Sequence, residues 1–125
     1  MPLDRALLEA ALPDLDSTLS LPGLSAPATV LRDEWGIPHI RAATSRDAWM
    51  ALGFVHAQDR LFQMDLTRRR ALGRAAEWLG ASAAESDILV RRLGMEAACR
   101  RDFAALGPAA RTMLEAYSAG VNAWI

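Results

Sequence analysis

Residues Gly53 to Gly80 read GFVHAQDRLFQMDLTRRRALGRAAEWLG. Gln58, Asp59, Arg60, Gln63, Asp65, Arg68, Arg69 and Glu77 alternate there with large apolar residues at helical spacing. Leu61, Met64, Leu72, Ala75 and Leu79 recur at intervals of three, four or their multiples, which predicts a helical segment to Leu79 with Gly80 as its C-cap. Asp65 and Arg69 stand four apart, acid first, the favourable order on a helix. An ordinary surface helix has no need of two glutamines and an Asp-Arg pair flanked by Leu and Phe. The mixture predicts polar groups in a defined, partly buried network, because such groups are tolerated only when satisfied in full.

Upstream, Ala48 to Val55 is apolar on all sides, the mark of a helix buried on most faces. Ser45 is the expected N-cap, with Asp47 in the first turn. Asp59 or its neighbours are the expected place for a kink or restart. Thr29–Arg32 and His39–Ala42 read as two short strands joined by the turn Asp33-Glu34-Trp35-Gly36, with Pro38 at an edge position. Residues 1–12 read as a short amphipathic helix carrying Leu3, Leu7 and Leu8 on one side, ended by Pro13. Residues 13–27, with Pro13, Pro22, Gly23, Pro27 and several serines, read as a linker.

Downstream, Asp87–Arg92 is a further helical turn or two, with Asp87 four before Arg91 and Gly94 as a break. Glu96–Leu106 is helical, with Glu96 four before Arg100. Gly107-Pro108 then starts the last helix, with the proline at its first position. Its stripe is Leu114, Tyr117, Val121 and Trp124. It meets no stop signal by Ile125, so the chain reads as cut from a longer polypeptide. The expected fold is mainly α: an orthogonal helical lobe with a short N-terminal β-hairpin. Its divisions are an N-terminal helix and linker (1–27) and a main region (28–125) made of the hairpin (28–43) and the helical lobe (45–125).

A chain of 125 residues fits one domain. The net charge of -1 argues against nucleic acid and against an anionic membrane as partners. Every basic residue is arginine, which suits planar binding of carboxylates. Cys99 is the only cysteine, so neither an internal disulfide nor a cysteine zinc site is available. In its Ala-rich surroundings it reads as a small, half-buried hydrophobe. The N-terminus has acids at Asp4, Glu9, Asp14 and Asp16 and no long apolar core. No export signal is read there, and a cytoplasmic location is expected. No apolar run has the length of a membrane span.

These blocks resemble the N-terminal part of the α-subunit in the penicillin acylase (penicillin amidase) family of N-terminal-nucleophile hydrolases. The family's R-D-x-x-G-I/V-P-H-I-x-A is matched by Arg32, Asp33, Gly36, Ile37, Pro38, His39, Ile40 and Ala42. Its G-Y/F-V-x-A-Q-D-R-L-F-Q-M-D/E-x-x-R-R is matched by Gly53–Val55, Ala57–Asp65, Arg68 and Arg69. Its G-x-x-A-E-x-x-G is matched by Gly73, Ala76, Glu77 and Gly80, and its Y-x-x-G-x-N-A by Tyr117, Gly120, Asn122 and Ala123. The combined motif is long and ungapped, which a short pattern matched by chance is not.

The resemblance implies a fragment of a four-layer αββα enzyme whose early strands join the core. It implies hydrolysis of a linear amide by an N-terminal serine, with that residue's own α-amino group as base. Self-cleavage of a precursor would expose the serine, usually after a glycine. This chain has no Gly-Ser, Gly-Thr or Gly-Cys dipeptide, so the nucleophile is expected beyond Ile125. No catalytic residue is therefore assigned here, no substrate-binding residue is named, and the fragment alone is expected to be inert. The expected partners are the remainder of the same precursor and, for the full enzyme, a small N-acyl substrate. Calcium is a candidate cofactor of the full-length enzyme, with no metal ligand assigned in this chain, and a periplasmic location is the family habit.

The residues assigned to a structural network are Asp33, His39, Gln58, Asp59, Arg60, Gln63, Arg69 and Glu77. His39, after a proline at a strand start, reads as hydrogen-bonded and structural. His56 reads as a helix-surface residue. Arg68, Arg69 and Arg70 fan around a helix and so make no phosphate-binding patch. Asp59 alone is explained by helix capping, but capping leaves the two glutamines unexplained. A scaffold in which Arg60 bridges to a neighbouring segment through a buried charge pair accounts for all of them. Trp35, Trp49, Trp78, Trp124 and the methionines read as core or subunit-interface residues.

Overall fold

The computed structural model describes residues 4–125. Helix α1 spans Arg5–Ala10 and buries nothing, and Asp4 caps it by accepting from the Leu7 amide at 3.0 Å. Leu7 and Leu8 are largely exposed, and the expected contribution of Leu3 lies outside the described residues.

Strands β1 (Thr29–Arg32) and β2 (Pro38–Arg41) form an antiparallel hairpin with Thr29 opposite Arg41 and Leu31 opposite His39. The second strand begins one residue earlier than the sequence suggests. Pro38 takes part as a first strand residue, where its missing N–H costs no ladder bond. The turn is made by Asp33. Its Oδ1 accepts from the Trp35 amide at 3.0 Å and the Ile37 amide at 2.9 Å, while Gly36 takes the positive φ of 75° that the reversal needs. Trp35 is 80% exposed at the tip, so of the core or subunit-interface role expected for it the core half does not hold.

Helix α2 spans Ser45–Ala71. Its N-cap is Thr44 rather than Ser45: Thr44 has extended backbone and its hydroxyl accepts from the Asp47 amide, whereas Ser45 is already helical. The helix bends at Arg60, whose φ of -142° and ψ of 24° are not helical. It then ends at Ala71, eight residues before the expected Leu79. Gly73, at a φ of 63°, provides the left-handed position that closes a helix C-terminus, and the Arg74 amide folds back onto the Arg69 carbonyl at 2.8 Å. Helix α3 (Ala76–Leu79) follows as a single turn with Gly80 as its C-cap. A 3-10 turn (Gly80–Ala83) leads into α4 (Ala84–Arg92), and left-handed Gly94 separates α4 from α5 (Met95–Ala105). Helix α6 (Pro108–Trp124) opens with the expected proline.

The core lies between the first half of α2 and α6. Met50, Ala51, Val55 and Ala57 are buried on one side and Ala116 on the other. The helices cross at Gly53 and Gly120. A Cβ on Gly120 would overlap the Met50 carbonyl and lie 2.9 Å from the Phe54 amide nitrogen; one on Gly53 would overlap the Tyr117 carbonyl. The two backbones therefore touch directly, each at a gap that hydrogen alone fills. Larger side chains flank this crossing. Phe54 meets Trp124 edge-on at 5.4 Å, and His56 Nδ1 lies 2.9 Å from the Tyr117 hydroxyl. His56 is thus a tie between helices, not a bare surface residue. The stripe expected on α6 is correspondingly rotated: Ala116 and Gly120 are its buried line, and Leu114 is 38% exposed. Close approach selects small residues for the innermost line and leaves the large ones at its margins.

Candidate functional site

The polar residues of the sequence motifs collect into distinct clusters. At the hairpin tip, Asp33 Oδ2 lies 3.0 Å from His39 Nε2. The His39 contact and the two turn amides hold the Asp33 carboxyl below the usual aspartate range.

The second cluster centres on Arg32. Its guanidinium donates to both oxygens of Asp59, at 3.0 and 2.8 Å, to Gln58 Oε1 at 3.0 Å and to the Gly36 carbonyl at 3.1 Å. This bidentate pairing is what the planar arginine fork allows. It joins β1, the hairpin turn and the middle of α2. Arg60 is the bridging cation expected from the sequence. Arg60 is exposed and has no hydrogen-bonded side-chain partner among the described residues, so the buried charge pair expected for it does not form. Gln63 is exposed too, and its side chain has no hydrogen-bond partner among the described residues; its backbone carbonyl accepts from the Thr67 hydroxyl. The bend at residue 60 explains both: it carries these side chains off the face that Gln58 and Asp59 present to Arg32.

The third cluster follows the bend. Asp65 accepts from Arg68 and from Arg69, the latter at 2.7 Å. Arg69 reaches on to Glu77, which also accepts from Arg74 at 2.6 Å. Arg69 lies over the Trp78 ring at 4.7 Å, and Trp78 stacks on Phe62 at 5.1 Å between ring centres. Hydrogen bonds from Arg69 and Arg68 lower the Asp65 pKa, and those from Arg74 lower that of Glu77. This ladder fastens the short α3 to the end of α2.

Two buried acids stand outside the residues singled out from sequence. Asp47, with none of its surface exposed, accepts from the Ser25 amide at 3.0 Å and from the Ser25 hydroxyl. Beside it, Arg46 donates to the Gly23 carbonyl at 2.7 Å, so the start of α2 latches the linker. Asp87 accepts from the Ala75 amide at 3.0 Å and the Ala76 amide at 2.8 Å, capping α3 from α4. Arg91 donates to the Gly73 carbonyl at 2.8 Å. Asp87 and Arg91 therefore grip the Gly73 turn in parallel and do not pair with each other as their spacing suggests. A Cβ on Gly73 would come within 2.7 Å of the Asp87 carbonyl oxygen, which explains a glycine there beyond its φ. Spacing alone gave no signal for either acid: Asp87 stands beside Glu85 in the first turn of α4, and Asp47 holds an equally ordinary place in the first turn of α2.

Chemically, these clusters hold and position. Asp47 is a poor base, since the Ser25 hydrogen bonds push its pKa down. Neither histidine is hydrogen-bonded to a serine, threonine or cysteine among the described residues. No three His, Cys, Asp or Glu side chains converge as a metal ion would require among them. Cys99 is exposed rather than half-buried, because α5 presents no buried residue to the rest of the fold.

The penicillin amidase family profile matches residues 27–125. The chain belongs to the penicillin amidase family. It is 72% identical over 98% of its length to the penicillin acylase 2 proenzyme of a Pseudomonas strain, and 42% identical over 85% of its length to the penicillin G acylase of Escherichia coli. It is 36% identical over 92% of its length to the acyl-homoserine lactone acylase QuiP of Pseudomonas aeruginosa. Among solved structures, a thermostable penicillin G acylase from Alcaligenes faecalis superposes with a TM-score of 0.70 at 35% identity, covering 78% of this chain and 52% of that one. The chain spans only 16%, 13% and 14% of these three relatives' own lengths. The penicillin amidase motifs coincide with the clusters above. In Arg-Asp-x-x-Gly, the arginine holds α2 and the Asp-Gly pair makes the turn. In Gly-x-x-Ala-Glu-x-x-Gly, the first glycine closes α2, the alanine amide is capped by Asp87 and the last glycine ends α3.

The lowered carboxylates fix the sign of the acid response. For Asp33, Asp47, Asp65, Glu77 and Glu96 the folded value lies below the ordinary one, so in acid the unfolded chain takes up protons first. Their stabilisation is fully present above the ordinary carboxylate range and is lost as pH falls through the lowered folded values. The unfolding midpoint should therefore fall steadily below about pH 4. Asp47→Asn should flatten part of that slope, which thermal melts across pH would read out directly.

Proposed function

We propose that this chain is the N-terminal part of an acylase that hydrolyses linear amides of N-acyl compounds, with its serine nucleophile in polypeptide beyond Ile125. The observation that supports the reading most is the 72% identity to a penicillin acylase proenzyme across nearly the whole chain. Names that include both penicillin and acyl-homoserine lactone acylases among the relatives make the acyl amide the common substrate feature. In this reading the described residues build a framework, and the chemistry comes from the rest of the precursor. That remainder and a small N-acyl substrate are the partners; neither nucleic acid nor membrane is one. Any calcium in the full-length enzyme would take its ligands outside the described residues. A cytoplasmic location goes with this proposal.

A second reading, a helical interaction module without catalysis, rests on how completely the polar clusters are consumed in structure. The full-length protein distinguishes the two. Mass spectrometry should find two chains, the second starting with serine, and the processed protein should release free amine from penicillin G or an N-acyl-homoserine lactone. A single uncleaved chain that hydrolyses neither would favour the module.

A further inference from the structure

We propose that Arg32 sets the bend of α2, coupling the position of the hairpin to the direction of the helix beyond residue 60. Residue 60 is the place where α2 leaves helical geometry. The local sequence Gln58-Asp59-Arg60-Leu61-Phe62 contains no proline, glycine or serine, the usual local causes of a kink, and arginine is a good helix former. Tertiary contact must therefore impose the bend. The side-chain hydrogen bonds at the two residues before it, Gln58 and Asp59, all come from Arg32. Arg32 holds Asp59 through both carboxylate oxygens and Gln58 through its amide oxygen, and its guanidinium is anchored to the hairpin by the Gly36 carbonyl. The Arg32 side chain is 16% exposed and that of Asp59 30%, so the fork is partly shielded from solvent. The Arg60 side chain is exposed and carries no such contact.

Beyond the bend the helix is attached to a different set of residues, Glu77 and Trp78 of α3. The first half of α2 belongs with the hairpin and α6, and the second half with α3 and α4. A displacement of the hairpin transmitted through Arg32 would re-aim that second half. A lysine at this position offers one charge without the planar fork and loses the bidentate grip.

The bend can be measured in the full-length protein by the distance between spin labels at Ser45→Cys and Arg70→Cys, in a background without accessible cysteines, Cys99→Ser included. Both positions are exposed, and a straight helix would place them roughly 37 Å apart along its axis. The parent protein should give a shorter distance. Arg32→Lys should move it toward the straight-helix value, and Arg60→Ala should leave it in place. If Arg32→Lys does not fold, Asp59→Asn carries the same expectation, since it removes the charge that the fork grips. An unchanged distance in a folded Arg32→Lys or Asp59→Asn protein overturns the proposal. So does straightening by Trp78→Ala with Arg32 intact, which would assign the bend to the Phe62–Trp78 stack.

Discussion

Gly120→Ala is expected to destabilise the α2–α6 pair strongly, although alanine is the better helix former. In an exposed helix interior the exchange favours alanine by about 1 kcal/mol. Here the added methyl would overlap the Met50 carbonyl and press on the Phe54 amide. Backbone atoms cannot rotate aside as a flexible side chain can, so the helices must separate. Separation loosens the packing of Met50, Val55 and Ala116 on both sides of the crossing. Overpacking of a tight core costs typically ~1–3 kcal/mol and more where relaxation is blocked, which places this substitution at or above the upper end. Gly53→Ala should behave alike, and the two together should fall short of additivity because they share one crossing. Chemical unfolding of the full-length protein measures the loss, with Ser118→Ala at an exposed site of the same helix as the comparison, expected within ~0.5 kcal/mol. An unchanged or raised midpoint for Gly120→Ala would mean that the two backbones do not touch.

Asp87→Ala is the second large effect. It leaves the amides of Ala75 and Ala76 without their acceptor in a buried place, where Asp87 itself is only 7% exposed. An orphaned buried donor costs about 1–3 kcal/mol, and two lose their partner at once. Helix α3 is a single turn with no cap from its own sequence, so nothing local replaces Asp87. Asp87→Asn keeps one acceptor oxygen and should lose distinctly less. Amide hydrogen exchange at Ala75 and Ala76 should accelerate in Asp87→Ala well before the amides of the α2–α6 core respond. Equal acceleration throughout would show that the cap is part of global stability and not a local fastening.

Much of the fold was legible because it rests on local rules. The hairpin turn follows from Asp33 and Gly36, the start of α6 from Pro108, and the break before α5 from Gly94. The end of α2 was misplaced because Leu72, Ala75 and Leu79 keep helical spacing across Gly73, and periodicity does not register a reversal of the chain direction. The network residues were partly legible. Gln58, Asp59, Arg69 and Glu77 are in polar clusters; the pairing of Arg69 with Asp65 was readable from their spacing of four, whereas the partner of Gln58 and Asp59 was not. Arg32 lies 27 residues before Asp59, and the bend that turns Arg60 and Gln63 outward has no local cause.

By itself the sequence determined the kinds of element, the family and the absence of a Gly-Ser junction between Met1 and Ile125. Those depend on neighbouring residues or on an ungapped motif. Tertiary structure alone decided which charges meet across elements, which acids are buried and why glycines stand at 53, 73 and 120. A glycine is chosen there by the backbone opposite it, and that neighbour is identified only once the chain has folded back on itself.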